Sequence, residues 1–223
     1  MIKYPPFLVK DHVLYEDNHL IAVFKPAGIL VQGDITGDEP MSELIKTYLK
    51  EREQKPGNVF CGVIHRIDRP VSGVVVFAKT SKALSKMNEL FRENQIKKTY
   101  RALVNGVPNE AEKTLQAYLR KNAKTLKAEV FSKEVENSKL SELSYKLIEN
   151  RGHQALLEVY PKTGRFHQIR AQLAQNKTPI VGDVKYGAPQ MLKNKSICLH
   201  AYQIEFVHPI KNIEIKIQAK EPF

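Results

Sequence analysis

Cys61-Gly62-Val63-Ile64-His65-Arg66-Ile67-Asp68-Arg69-Pro70-Val71-Ser72-Gly73-Val74-Val75-Val76-Phe77-Ala78 sets one carboxylate between two arginines in a turn-prone loop, with apolar strand-like runs on either side. The run that follows the loop is short, apolar and rich in β-branched residues, which suits a buried strand. Asp68 is therefore expected on a loop held by core. Its flanking cations favour the ionised carboxylate, and an ionised Asp serves as a nucleophile or a general base. A surface salt bridge accounts for the same residues more simply, so the rest of the chain has to decide.

Upstream, Val13-Leu14-Tyr15 and Leu20-Ile21-Ala22-Val23-Phe24 flank the turn-rich Glu16-Asp17-Asn18, which predicts an opening hairpin. Lys25-Pro26-Ala27-Gly28 breaks the second strand. Glu39-Pro40 introduces a helix with Leu44, Ile45, Tyr48 and Leu49 on one face. A second helix is expected from Ser81 to Asn94 with Leu84, Met87, Leu90 and Phe91 inward. Gln95 to Gly106 returns to strand, with Tyr100, Ala102 and Val104 on one side. Gln116 to Ser132 reads as a two-stranded ribbon with a basic tip, for which a solvated face is the default. Two further hairpins, around Asn150-Arg151-Gly152 and His208-Pro209, complete the pattern. Many strands with few helices predict an α+β fold whose central sheet is mixed but largely antiparallel and flanked by helices.

The 223 residues suffice for one full core, and a single domain spanning 1–223 is expected. Lys plus Arg number 35 against 24 Asp plus Glu, a net charge of +11, which is the electrostatic footprint of a polyanion binder. Residues 97–127 concentrate it, with eight Lys or Arg against Glu110 and Glu112, a net +6. Cys61 and Cys198 sit in apolar contexts without zinc-site spacing and read as reduced core residues, in keeping with a cytoplasmic protein. The leader Met1-Ile2-Lys3-Tyr4-Pro5-Pro6 has no sustained apolar region. No run approaches the roughly 18 apolar residues of a membrane helix, so no membrane partner is expected.

Lys162-Thr163-Gly164-Arg165-Phe166-His167-Gln168-Ile169-Arg170 starts at a glycine turn and runs into a helix expected to carry Phe166, Ile169 and Leu173 on one face. At helical spacing Arg170 projects about 40° from Phe166, near enough to the buried stripe to be partly desolvated. A partly buried Arg requires an acid. Asp68 is the chosen partner, because a bidentate guanidinium would hold its carboxylate ionised and oriented. Another Asp or Glu would satisfy Arg170 equally well.

Taken together, these segments resemble the RluA-type family of pseudouridine synthases, which modify uridines in ribosomal and transfer RNA. The likeness spans almost the whole chain: Leu14-Tyr15-Glu16-Asp17, Lys25-Pro26-Ala27-Gly28, the loop His65 to Gly73, and Lys98-Thr99-Tyr100-Arg101-Ala102. It continues through Thr163 to Arg170, Pro179-Ile180-Val181-Gly182-Asp183, Tyr186-Gly187 and Leu199-His200-Ala201. Val71 stands where the family often has Thr, which weakens any role for that side chain but leaves Asp68 untouched. No separate N-terminal RNA-binding domain is expected before the catalytic part, so substrate docking would rest on the basic surface.

The resemblance implies the pseudouridine synthase fold with a catalytic cleft. Asp68 would act as nucleophile or base, Arg170 as its ionic partner, and Tyr100 would pack on uracil and help remove the C5 proton. It also implies that Arg66 enters the RNA stack in place of a flipped-out nucleotide. His65, Arg69 and Arg165 are candidates for phosphate contacts, and Ile169 for shaping the uracil pocket. No cofactor or metal is expected, the partner is rRNA or tRNA, and the enzyme is expected to be a monomer. A non-catalytic basic RNA-binding protein is the main rival. A carboxylate hydrolase is disfavoured because no second acid is placed by motif beside Asp68.

Overall fold

The computed structural model describes residues 7–54 and 56–223, and the Met1 to Pro6 leader lies outside the described residues. The chain forms two compact units. The first comprises residues up to Lys97 together with Ala201–Glu221, and the second comprises Lys98–His200 with Pro222–Phe223.

In the first unit β1 (Val13–Glu16) and β2 (Leu20–Lys25) form the expected opening hairpin. Asp17 closes its turn by accepting the amides of His19 and Leu20. β2 pairs antiparallel with β4 (Ser72–Ala78), and the two-residue β3 (Gly62–Val63) pairs antiparallel with β4 as well. β10 (Leu199–Val207) neighbours β4 through its part in this unit and pairs antiparallel with β11 (Glu214–Gln218). All seven residues of β4 are buried, which is why its sequence shows no alternation. Each large apolar side chain there contributes roughly 1.5–3 kcal/mol on leaving water.

α1 (Met41–Arg52) buries Met41, Ile45 and Leu49, and α2 (Ser81–Arg92) buries Ala83 and Met87. The hydroxyl of Thr80 caps α2 by accepting the Ala83 amide. Leu84, Leu90 and Phe91 are half-buried against the core of β2, β4, β10 and β11. Gly73 is obligatory: its φ is +128°, and a Cβ there would lie 2.3 Å from the carbonyl oxygen of Ala201 on β10.

The second unit is one sheet in the order β5-β9-β8-β6-β7, with each neighbouring pair antiparallel. Its strands are β5 (Lys97–Asn105), β6 (Glu112–Asn122), β7 (Lys127–Phe131), β8 (Lys139–Asn150) and β9 (Gln154–Pro161). β6 and β7 make the expected ribbon, and β7 is the edge strand. α3 (Gln168–Gln175) packs its Ala171 against Leu119 and Ala128 of that ribbon. Three α-helices lie among the described residues, and no helix is long and apolar enough to cross a membrane.

The start of the third helix differs from the expectation. α3 begins at Gln168, and Phe166 lies outside it, stacked 3.8 Å from the His167 ring instead of continuing the helical stripe. The reason is local: His167 is left-handed at φ 50°, and the buried Gln168 side chain organises the preceding turn. Its Oε1 accepts from the Arg165 amide and the Thr163 hydroxyl, and its Nε2 donates to the Glu142 carbonyl. Those bonds satisfy the backbone without a helical turn.

Candidate active site

Asp68 occupies the loop between β3 and β4, half-buried, and its carbonyl accepts the Val71 amide at 3.0 Å. The loop is tied down on both sides. On the entry side His65 accepts the Val76 amide through Nε2 at 3.0 Å, and its ring stacks on Phe91 of α2 at 5.3 Å. On the exit side the Arg69 carbonyl accepts the Gly28 amide at 2.8 Å, while the Arg69 Nε donates back to the Gly28 carbonyl at 2.9 Å. The guanidinium also pairs with Asp38 at 2.7 Å. His65 and Arg69, expected as phosphate contacts, are thus both engaged in holding the loop. Arg66 is exposed and Ile67 buried, so the loop presents its first arginine to solvent.

Lys25, given no role of its own in the sequence, is the least expected member of this site. It is completely buried, and its Nζ donates to the carbonyls of Pro26 at 3.0 Å, Ile29 at 2.9 Å and Arg69 at 3.2 Å. One ammonium therefore joins the Lys25-Pro26-Ala27-Gly28 turn to the residue after Asp68. Burial pulls its pKa down to about 7, opposed by the negative charge of Asp68 and reinforced by Arg69. A lysine at the end of an apolar strand was the available signal, since Lys is almost never fully buried unless it has partners.

This burial makes stability pH-dependent. Between about pH 7 and the ordinary lysine range the unfolded chain holds a proton on Lys25 that the folded chain does not, so stability rises with pH across that window. Urea unfolding at pH 7 and pH 9.5 should show this gain in the native protein and its absence in Lys25→Met, which should also be the less stable of the two at pH 9.5. Equal pH dependence in the two proteins would contradict the assignment.

The second unit carries Tyr100, Arg165, Ile169 and Arg170. Tyr100 is half-buried on β5 opposite Val159 of β9. Arg165 is exposed and donates from Nε to the Leu140 carbonyl at 3.2 Å. Ile169 and Arg170 are both buried in the first turn of α3. Arg170 has the acidic partner that its burial demands: its Nε and Nη2 donate to the two carboxylate oxygens of Asp183 at 2.7 and 2.8 Å. Asp183 is 1% exposed, and the Tyr186 ring lies 5.1 Å from the guanidinium carbon. The sequence reading chose Asp68 for this pairing; the carboxylate that takes these two donors is Asp183.

Among the described residues no group of three His, Cys, Asp or Glu side chains is arranged to hold a metal ion. Cys61 and Cys198 are free thiols, both buried, with pKa values pushed up by burial to about 12 and about 11.

The sequence of this chain places it in a class of RNA-modifying enzymes. The chain is a member of the RNA pseudouridylate synthase family, whose sequence model matches residues 19–175. It is 34% identical to the ribosomal large subunit pseudouridine synthase C of Buchnera aphidicola from Acyrthosiphon pisum, over 94% of this chain and 67% of that protein. It is 32% identical to the tRNA pseudouridine synthase C of Vibrio parahaemolyticus, over 95% of this chain and 90% of that one. In fold it matches the solved human RNA pseudouridylate synthase domain containing 4, with a TM-score of 0.80 at 23% identity, covering 96% of this chain and 90% of the other.

Proposed function

We propose that this protein isomerises specific uridines of structured rRNA or tRNA to pseudouridine, with Asp68 as the central group. The observation that carries this reading is the bracing of the Asp68 loop by Lys25, Gly28 and His65 in a chain whose family match includes that loop. A catalytic carboxylate has to be held to within a fraction of an ångström, and a mere surface ion pair has no need of a buried lysine beneath it.

In the proposed reaction the C–N bond between uracil N1 and ribose C1′ breaks, the base turns, and C5 bonds to C1′. The C5 proton leaves and N1 gains one, so no electrons or water are consumed overall. Asp68 either attacks or removes a ribose proton. Tyr100 packs on uracil and assists loss of the C5 proton, and Ile169 shapes a dry pocket. Arg170 has five N–H donors, of which Asp183 takes two, and a guanidinium so placed suits a second carboxylate, assigned here to Asp68. The target nucleotide leaves the stack, at a cost of a few kcal/mol, and Arg66 takes its place.

The two units are read as one catalytic domain, cytoplasmic and monomeric, acting without a cofactor. Docking rests on the basic surface, with the net +6 of residues 97–127 as its centre. A purely RNA-binding role is less favoured, because it would leave the bracing of Asp68 without purpose.

The test is direct. RNA from cells lacking the gene, labelled with tritium at uridine C5, should release tritium on incubation with the purified protein. Mapping should then place pseudouridine at sites that the gene-deleted cells lack. Binding without any release would leave only the RNA-binding reading.

A further inference from the structure

The ribbon of β6 and β7 ends in a tip, residues 123–126, and carries Lys121, Lys124 and Lys127, all exposed. No acid occurs between Arg120 and Lys127, and Arg120 itself is paired with Glu129. β7 is an edge strand, and a two-stranded ribbon at the margin of a sheet is marginally ordered unless something holds it.

Two side chains from one short segment hold this one. The Ala128 amide of β7 donates to the Tyr186 hydroxyl at 2.6 Å, and the Lys185 ammonium donates to the Leu126 carbonyl in the tip at 2.9 Å. Nδ1 of His167 lies 2.9 Å from the same hydroxyl, within hydrogen-bonding distance. The Tyr186 ring packs with Val130 and Phe166 against Leu119, Ala128 and Ala171. Lys121 is steered as well, its Nζ lying 4.9 Å over the Phe166 ring.

We infer that Tyr186 is a positioning residue for RNA docking: its hydroxyl, aided by Lys185, locks the ribbon so that Lys121, Lys124 and Lys127 meet the phosphate backbone in a fixed array. This rests on the reading of the protein as an enzyme of structured RNA. A swinging tip would have to be ordered at the moment of binding, and that ordering would subtract from affinity. The lock removes the loss in advance. It acts on binding and leaves the chemistry at Asp68 untouched.

Tyr186→Phe keeps the ring under Arg170 and its packing but deletes both hydroxyl hydrogen bonds. KM for the tritiated RNA of gene-deleted cells should rise about five- to tenfold, as expected for one or two lost bonds, with kcat within about twofold of the native value. Lys185→Gln should show the same split. In a parent with Lys121, Lys124 and Lys127 all changed to Gln, Tyr186→Phe should add less than about twofold, because the array it positions is gone. An unchanged KM, a fall in kcat with KM held, or an undiminished effect in the neutralised parent would each overturn the inference. Direct binding of the same RNA separates it from the functional reading. A five- to tenfold weaker Kd without tritium release from any form would sustain the lock and sink the isomerase, whereas normal release with an unchanged Kd would do the reverse.

Discussion

Asp68→Asn is expected to lower uridine conversion by at least about 10²–10⁴-fold while leaving RNA binding and the fold intact. The amide has the volume of the carboxylate but can neither attack nor accept a proton at neutral pH. Three ties of the loop do not involve that charge: its Val71 turn, its Gly28 ladder and its His65 anchor are bonds of the backbone and of other side chains. Most binding energy comes from phosphate contacts elsewhere on a protein of net charge +11, so affinity should stay within about threefold. Tritium release and filter binding on the same RNA check both halves. Turnover within tenfold of native would remove Asp68 from the chemistry, and parallel loss of binding and turnover would make it a docking residue. A secondary effect has a definite sign. Since the Asp68 charge opposes the lowering of the Lys25 pKa, its removal should push that pKa further down.

The second large effect is on stability. Arg170→Met strands the Asp183 carboxylate, 1% exposed, without its bidentate partner, and breaking a buried pair from one side costs about 3–5 kcal/mol. For a chain of this size that lowers the Tm by roughly 10 °C. Adding Asp183→Leu should restore much of the loss, because the stranded charge disappears with it, yet activity should not return if Arg170 also serves Asp68. Calorimetry and tritium release on the single and double variants separate the two roles. Native stability in Arg170→Met would show that the pair contributes nothing to the fold, and recovery of activity in the double variant would confine Arg170 to packing.

The order of elements was legible in the sequence because it depends on local pattern. β2, α1, α2 and the hairpins follow from alternation, helical spacing and turn residues, each a property of neighbours along the chain. The placement of Asp68 on a loop between two strands was legible too, from one acid between two arginines fenced by apolar runs. The start of α3 was missed because a side chain from the helix, Gln168, bonds back into the turn before it and competes with the helical pattern.

Partners distant along the chain were beyond the sequence alone. Arg170 announced by its helical position that it needed an acid, but only folding decides which carboxylate reaches it, and the two donors so placed go to Asp183. Lys25 read as the end of a strand until the turn it begins was seen to close over its ammonium and join it to the Arg69 carbonyl, 44 residues away. Local preferences are written in adjacent side chains, whereas the matching of buried charges depends on which backbone groups arrive beside them, and that is a property of the assembled core.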